Sequence, residues 1–286
     1  MKTDHSICLL IPYYGKWPVY LNLFLASCKG HDNLQVHLIS DLSLSQENKP
    51  NNVHLVNISL ADLVVRMNTK LGLNLTEIQP RKICDFKPAY GLLFDELTEG
   101  FDFWAYGDVD MVFGNLKRYL KPEILNVNDI LTFREEWIHG PFTIFRNNEY
   151  TKTLFKKSKD WLKVFSSETL FCFDECGKKH RILRTGIDPL DIEVPVAPND
   201  IHDMTQVIRA EEIDGKLKIY RRYYAKESLP FDEIIWWNNG KIEGAGFAEY
   251  IFYHFVWDKF QKQFVFPNWK TIPDRYFITT TGFYLP

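Results

Sequence analysis

The most constraining feature of this sequence is the alternation of strand-like and helix-like segments over its first 71 residues. Short apolar runs at 6–13, 34–40 and 53–58 predict buried strands. Segments with apolar residues at helical spacing occupy 18–28 and 60–71. This order predicts an α/β fold, in which helices flank a mostly parallel central sheet.

In such a sheet, ligands bind beyond the carboxyl ends of the strands, so the residues that follow each strand are the candidates for function. No glycine-rich dinucleotide fingerprint follows the first strand, which argues against a nicotinamide-dependent oxidoreductase. No G-x-x-x-x-G-K-[ST] segment occurs in the chain, which excludes an ordinary P-loop nucleotidase.

The charge balance argues against nucleic acid as a partner, because the formal net charge is −3 and no overall basic field exists. One short basic run, Arg221, Arg222 and Lys226, is interleaved with Tyr223 and Tyr224. It is either a solvated strand face or a contact with anionic lipid or an acceptor phosphate.

Cysteine usage favours a reducing compartment, since the five cysteines are scattered and form neither a disulfide framework nor a zinc motif. The start of the chain is polar, and its first apolar run is too short to span a bilayer. We therefore expect a cytoplasmic protein that is soluble or peripheral to the inner membrane.

An Asp-x-Asp triplet, Asp108-Val109-Asp110, directly follows a strand-like segment at 101–107. Such triplets are common by chance, but this one lies where ligands of an α/β sheet bind and precedes the apolar segment 111–113. Its carboxylates are therefore not part of a solvated charged run. The alternative role for both aspartates is to cap a short helix predicted near 115–120.

Two neighbouring carboxylates repel each other unless a cation lies between them. Hard oxygen ligands favour Mg²⁺ or Mn²⁺, and these ions keep open positions for phosphate oxygens. We therefore predict that Asp108 and Asp110 hold Mn²⁺ or Mg²⁺, which would neutralise the charge on a leaving diphosphate.

The segment 81–88 opens a helix predicted at 88–97, just before the strand that carries the aspartates. Lys82 and Lys87 are candidates for binding a pyrophosphate. Asp85 is a candidate either for contacting a ribose hydroxyl or for capping the helix.

Two histidines stand beside strand-like segments. His139 precedes Gly140, which permits close backbone approach to a ligand, and is either a site residue or a turn residue. His254 lies in an apolar stretch and, on its residues alone, is either a core histidine or a ligand. Four carboxylates are candidates for a catalytic base: Glu135, Glu136, Asp174 and Asp232.

The pattern loosens after residue 165, which divides the chain into a ligand-binding core at 1–165 and an acceptor-side region at 166–286 that completes the same domain. The stretch 171–199 is predicted to be a lid, an acceptor loop or a surface excursion. A further helix is predicted at 148–165, a strand pair at 217–224 and 234–237, and a hairpin turn at Asn239-Gly240.

Three segments together resemble the GT-A-fold glycosyltransferases: Ile11-Pro12-Tyr13, Asp85-Phe86-Lys87-Pro88 and Tyr106-Gly107-Asp108-Val109-Asp110. They are similar to an uncharacterised bacterial family found in capsule and O-antigen loci. Their order also resembles the glycogenin-like enzymes and the yeast-type mannosyltransferases. The resemblance covers residues 6–146 and is poor in the final third.

The resemblance implies a role for each matching residue. Asp108 and Asp110 match the motif that holds metal and donor. His254 and Lys259 resemble a late His that completes the metal shell and a catalytic Lys that binds phosphate, although the glycine of that H-x-x-G-x-x-K motif is missing here. The implied donor-binding residues are Pro12, Tyr13, Lys82, Asp85, Lys87, Gly107 and Val109, and the implied acceptor-side residues are Glu135, Trp137, His139 and Gly140.

The expected function is transfer of a hexose from a nucleoside-diphosphate sugar, above all a UDP-sugar, to a glycan or lipid-linked glycan during synthesis of capsule or lipopolysaccharide. One alternative is a catalytically inactive GT-A-fold subunit that binds glycans or acts as a scaffold. A nucleotidyltransferase is disfavoured, because the segment 13–16 is too poor in glycine for the loop that such enzymes carry.

Overall fold

The computed structural model describes residues 2–45, 49–192, 197 and 200–286. Its strands are β1 (Ile7–Pro12), β2 (Leu34–Ser40), β3 (Val53–Asn57), β4 (Phe103–Gly107), β5 (Met111–Phe113), β6 (Ile130–Thr132), β7 (Phe142–Arg146), β8 (Ile219–Arg221), β9 (Ala225–Lys226), β10 (Ile235–Asn238), β11 (Lys241–Glu243), β12 (Glu249–Tyr250), β13 (Phe252–His254), β14 (Arg275–Thr279) and β15 (Gly282–Tyr284).

The α-helices of the described chain are short apart from three. They are α1 (Leu21–Cys28), α2 (Leu60–Leu71), α3 (Tyr90–Leu93), α4 (Asp95–Thr98), α5 (Leu116–Tyr119), α6 (Pro122–Leu125), α7 (Glu149–Thr153), α8 (Trp161–Ser166), α9 (His180–Leu183) and α10 (Met204–Ile213). The 3₁₀ helices are Pro80–Ala89, Leu154–Lys157, Pro189–Asp191, Ala245–Phe247 and Asp258–Phe260.

A seven-stranded sheet in the order β3-β2-β1-β4-β7-β6-β8 forms the centre of the protein. Its first four strands are parallel, β7 runs antiparallel to β4 and β6, and β8 is parallel to β6. The sequence-based prediction of an α/β protein with a mostly parallel sheet and flanking helices is therefore confirmed.

Alternate residues of β1 point into two separate hydrophobic clusters, as the period of two in a strand requires. Cys8 and Leu10 pack in the cluster that contains α2 and the 3₁₀ helix Pro80–Ala89. Leu9 and Ile11 pack on the opposite face, in the cluster that contains α1. Because both faces are covered, β1 is buried, and this explains why it reads as a continuous apolar run.

The helix predicted at 60–71 is present with the expected ends. The Ser59 hydroxyl accepts a hydrogen bond from the amide of Asp62, and Gly72 ends the helix at a φ of +68°. Its apolar face packs against the sheet. In the described part of the chain no helix has both the length and the apolar character needed to cross a bilayer.

Two predicted helices are interrupted. The helix expected at 88–97 is a 3₁₀ helix, Pro80–Ala89, followed by α3 and α4, and Pro88 lies inside the 3₁₀ segment. The helix expected at 148–165 breaks at Ser158, whose backbone is extended and whose hydroxyl accepts a bond from the amide of Asp160. Apolar residues continue at helical spacing across both breaks, so the periodicity alone predicts continuous helices.

The C-terminal third adds strands to the sheets of the first half. β8 joins the large sheet, and β13 lies between β5 and β9 in a three-stranded sheet. The predicted pairing of 217–224 with 234–237 is wrong, because β8 pairs with β6 while β10 pairs with β11 and β14. The Asn239-Gly240 hairpin is confirmed, with both residues at positive φ.

The stretch predicted as a lid or acceptor loop is described only in part. Residues 171–192 carry α9 and the 3₁₀ helix Pro189–Asp191, and residue 200 leads into α10. The prolines at 195 and 198, on which part of that prediction rested, lie outside the described residues.

Candidate metal and donor site

The Asp-x-Asp triplet lies at the carboxyl end of β4, next to the carboxyl end of β1, because the two strands are parallel. The amide of Asp108 donates to the carbonyl of Pro141 at 3.1 Å. The carbonyl of Asp110 accepts from the amide of Phe255, also at 3.1 Å. These bonds hold the triplet between two other chain segments. Neither aspartate caps α5, since Asn115 caps that helix instead.

His254 reaches the triplet through strand pairing. β13 runs antiparallel to β5 with His254 opposite Met111, which places the imidazole beside Asp110. Its Nε2 lies 3.4 Å from Oδ2 of Asp110. One ligand atom each from Asp108, Asp110 and His254 lie within 4.8 Å of one another, so the group could hold a metal ion.

Each aspartate also contacts a lysine. Nζ of Lys87 lies 2.8 Å from Oδ1 of Asp108, and Nζ of Lys259 lies 2.5 Å from Oδ2 of Asp110. Burial by itself raises the pKa of Asp110, but attraction to His254 and the bond with Lys259 outweigh it and hold the pKa well below its usual value. Lysines can therefore relieve the repulsion between the carboxylates, and that repulsion alone does not require a metal.

The orientation of His254 fits a metal bound by Nε2, the nitrogen that faces Asp110. Its Nδ1 is buried and has no hydrogen-bond partner within the described structure. A histidine that binds a metal through one nitrogen carries its proton on the other, which then needs an acceptor. Two carboxylates and one imidazole also form a donor set that Mn²⁺ accepts readily and Mg²⁺ less readily.

A cavity of about 320 Å³ opens beside this group. Among the residues predicted to bind the donor, Pro12, Tyr13, Lys87, Gly107 and Val109 line it, together with Asp108, Asp110 and Lys259. Gly107 lies in close packing, because a Cβ there would meet Leu9 Cδ1 at 3.1 Å and the Pro141 carbonyl at 3.3 Å.

Sequence reasoning did not single out two features of the cavity mouth. Arg81 is exposed at its edge and forms no salt bridge with any described residue. Tyr13 stacks on Trp17 with the ring centroids 5.1 Å apart and the planes 16° from parallel. A free guanidinium and a flat aromatic pair suit a phosphate and a base, respectively.

Two residues predicted to bind the donor are buried elsewhere. Asp85 accepts bonds from the amides of Phe171 and Phe173, both at 2.9 Å, and from Lys82 at 2.7 Å. Lys82 also donates to the carbonyls of Val164 and Thr169. Neither side chain lines the cavity. The prediction that they contact the donor is corrected: their hydrogen bonds hold the segment 164–173 against the 3₁₀ helix Pro80–Ala89.

His139 and Gly140, predicted to lie on the acceptor side, do not line the Asp108 cavity. The carbonyl of Gly140 accepts from Lys87 at 2.9 Å, so this glycine borders the Asp108 group. His139 is fully buried, and its Nε2 lies 3.0 Å from Oε1 of Glu227. Burial lowers the pKa of His139 well below the usual value, so the ring is neutral and not exposed to an acceptor.

Glu135 and Trp137 belong to a second cavity of about 310 Å³ on another side of the segment 134–140. The guanidinium of Arg134 covers the Trp137 ring at 3.9 Å from its centroid, and the ring is almost completely buried. Neither residue lines the Asp108 cavity. Another cavity, of about 470 Å³, lies between 22–32 and 271–274 and contains none of the predicted site residues.

Asp174 is the candidate base that contacts the Asp108 group, through Lys87, although it does not line the cavity. Its Oδ2 lies 3.3 Å from Nζ of Lys87, which also contacts Asp108. Burial raises the pKa of Asp174 to about 8, although attraction to Lys87 opposes the rise and repulsion from Glu175 adds to it. Of the other candidates, Glu136 pairs with Arg134, and Asp232 is exposed in a turn.

The chain belongs to a family of unknown function, DUF6625, which it matches over residues 9–285. No curated protein matches the sequence. The family description assigns no activity, so any function rests on the geometry of the site.

Proposed function

We propose that this member of a family of unknown function is a metal-dependent glycosyltransferase of the GT-A type. The observation that carries the proposal is the group Asp108, Asp110 and His254, whose ligand atoms lie within 4.8 Å of one another. Its two aspartates line a cavity at the carboxyl edge of the sheet. Sheets of this kind bind nucleotides at that edge.

Charge balance at the site fits a nucleoside diphosphate. The charges of Asp108 and Asp110 are cancelled by those of Lys87 and Lys259. A divalent cation and a diphosphate can therefore enter together with little net change in charge. When bound, Mn²⁺ or Mg²⁺ would supply positive charge to the diphosphate as it leaves the sugar.

The lysines would act on the same charge. Lys259 lines the cavity beside Asp110 and has only part of its side chain buried, so its ammonium can turn from the carboxylate to a phosphate oxygen. Lys87 is buried between Asp108 and Asp174 and fixes both carboxylates. We assign phosphate binding to Lys259 and a positioning role to Lys87.

Asp174 is the proposed base for an acceptor hydroxyl. Its pKa of about 8 is close to the pH at which a cytoplasmic enzyme would work, which is the range where a general base is most effective. The acceptor would be a glycan or lipid-linked glycan of surface polysaccharide synthesis, and the donor a UDP-sugar. The proposal places the protein in the cytoplasm, free or peripheral to the inner membrane.

One observation favours a second candidate, a catalytically inactive glycan-binding or scaffold subunit. Lys87 and Lys259 already satisfy both aspartates without a metal. A panel of sugar nucleotides incubated with protein, with Mn²⁺ or with EDTA, separates the two candidates. We expect release of nucleoside diphosphate from at least one UDP-sugar with Mn²⁺ and none with EDTA. Release that is unaffected by chelation contradicts the metal assignment, and no release from any donor favours the inactive subunit.

A further inference from the structure

Glu227 lies at the centre of a buried polar cluster behind the metal-binding group. It directly follows β9, which runs parallel to β13, the strand that carries His254. Oε1 of Glu227 lies 3.0 Å from Nε2 of His139 and 3.8 Å from Nδ1 of His254. Its other oxygen, Oε2, pairs with the guanidinium of Arg134. One carboxylate therefore faces two histidines and an arginine.

The nitrogen of His254 that faces Glu227 is the one without a partner. Nε2 of His254 faces Asp110, and Nδ1 is buried without a hydrogen bond within the described structure. Glu227 is the carboxylate nearest to that atom for which a contact is seen. If Nε2 binds a metal, Nδ1 carries the proton, and a carboxylate oxygen is the acceptor such a proton commonly finds.

The surroundings hold the Glu227 side chain in place. Arg134 has most of its side chain buried and holds Oε2, while His139 is neutral and can donate its Nε2 proton to Oε1. Oε1 is thereby directed toward the space between the two rings. The cluster leaves one acceptor position on that oxygen, on the side where His254 lies.

We propose that Glu227 is a positioning residue, which accepts the Nδ1 proton of His254 and so fixes the tautomer that presents Nε2 to the metal. This role rests on the proposed metal site. Glu227 itself does not line the donor cavity. A carboxylate behind a histidine ligand orients the ring and makes its free nitrogen a better donor to the metal.

Glu227→Gln tests the role with little change in volume. A guanidinium only donates hydrogen bonds, so Arg134 would pair with the amide oxygen of the new glutamine. The NH₂ group would then face the two histidines, where it can accept no proton. Removing such a partner typically weakens metal affinity by about 10–100-fold.

A matched control separates this role from simple pairing with Arg134. Glu136 also contacts Arg134, with Oε2 3.3 Å from its Nε, but it has no described contact with His254. Glu136→Gln should leave Mn²⁺ affinity within about twofold of the wild type, whereas Glu227→Gln should weaken it by at least about tenfold.

The measurement is Mn²⁺ binding to the full chain, without nucleotide, followed by the electron paramagnetic resonance signal of free Mn²⁺. If Glu227→Gln does not fold, Glu227→Asp keeps the charge for Arg134 but shortens the reach toward His254 and should also weaken binding. Wild-type affinity in the folded Glu227 variant contradicts the positioning role alone. Failure of the wild-type protein to bind Mn²⁺ contradicts the metal site and this role together.

Discussion

Nζ of Lys259 lies 2.5 Å from Oδ2 of Asp110, a residue 149 positions earlier in the chain. The pair joins the 3₁₀ helix after β13 to the strand end that carries the Asp-x-Asp triplet. The same oxygen of Asp110 faces His254 at 3.4 Å. The ammonium of Lys259 and the imidazole of His254 therefore lie beside the same carboxylate oxygen. This places the proposed phosphate contact next to the proposed metal site.

Lys259→Ala should reduce turnover by about 100-fold or more, because it removes a cation that would stabilise charge on the leaving diphosphate. Mn²⁺ affinity should be unchanged or higher, since Asp110 loses a competing partner. Steady-state kinetics and Mn²⁺ titration measure the two effects. Lys262→Ala, at an exposed lysine three residues away, is the control and should keep full activity. Turnover of Lys259→Ala within twofold of the wild type would exclude the phosphate role.

Asp110→Asn should abolish metal-dependent turnover while the protein still folds. Losing one of two neighbouring carboxylates relieves their repulsion, but Asp110 also loses its attractive partners. Because Asp110 pairs with Lys259 and faces His254, we expect a stability loss of about 1–3 kcal/mol. Urea denaturation and donor hydrolysis measure the two effects. Asp102→Asn, just before the other end of β4, should leave turnover intact. A fully active Asp110→Asn variant would refute the metal assignment.

Asp85→Asn tests the corrected role of this carboxylate. Asp85 is fully buried, and it accepts two backbone bonds and one from Lys82. Breaking a buried ion pair on one side costs about 3–5 kcal/mol, so the variant should unfold at a markedly lower urea concentration. UDP affinity per folded molecule should be unchanged. A variant of wild-type stability that no longer binds UDP would restore the donor-binding interpretation.

Asp174 should make stability fall as the pH rises from about 4 to about 8. Burial, partly opposed by Lys87, raises its pKa from 3.8 to about 8, so the folded state holds a proton that the unfolded chain releases. The resulting stabilisation is complete below pH 4 and is lost as the pH rises through 8, at up to about 1.4 kcal/mol per pH unit. The pKa of Glu175, about 2, lies outside this window.

The check is urea denaturation from pH 5 to pH 9, in which the decline should level off above about pH 8. Wild-type stability should decline relative to Asp174→Asn, which carries no ionisable group there. If Asp174 is also the base, wild-type turnover should rise over the same window until unfolding intervenes, and Asp174→Asn should be inactive throughout. Parallel stability curves for the two proteins would contradict the raised pKa.

The parts of the fold that depend on local pattern were predictable. The parallel sheet, α2 and the Asn239-Gly240 hairpin follow from apolar periodicity and turn residues, and the structure has all three. The position of Asp108 and Asp110 at a strand end followed from the same pattern. The approach of His254 was suggested by a family resemblance, since no local signal reports a pairing between β5 and β13.

The errors concern side chains whose surroundings come from distant segments. Asp85 points inward because it binds amides 86 and 88 residues further along the chain, which its own sequence context cannot reveal. Glu227 has no local sequence signal, because its partners lie 88 and 93 positions earlier in the chain. Arg81 differs, since an arginine at the start of the segment 81–88, beside the predicted phosphate-binding lysines, is a signal that the sequence contains.

The most direct test of the proposed function is calorimetry of UDP binding to metal-free protein, before and after addition of Mn²⁺. The proposal predicts that UDP binds at least about tenfold more tightly with Mn²⁺, because Asp108, Asp110 and His254 would hold the ion against the diphosphate. In the Asp110→Asn variant this enhancement should disappear. Equal UDP affinity with and without Mn²⁺, or no UDP binding in either condition, would contradict the proposal.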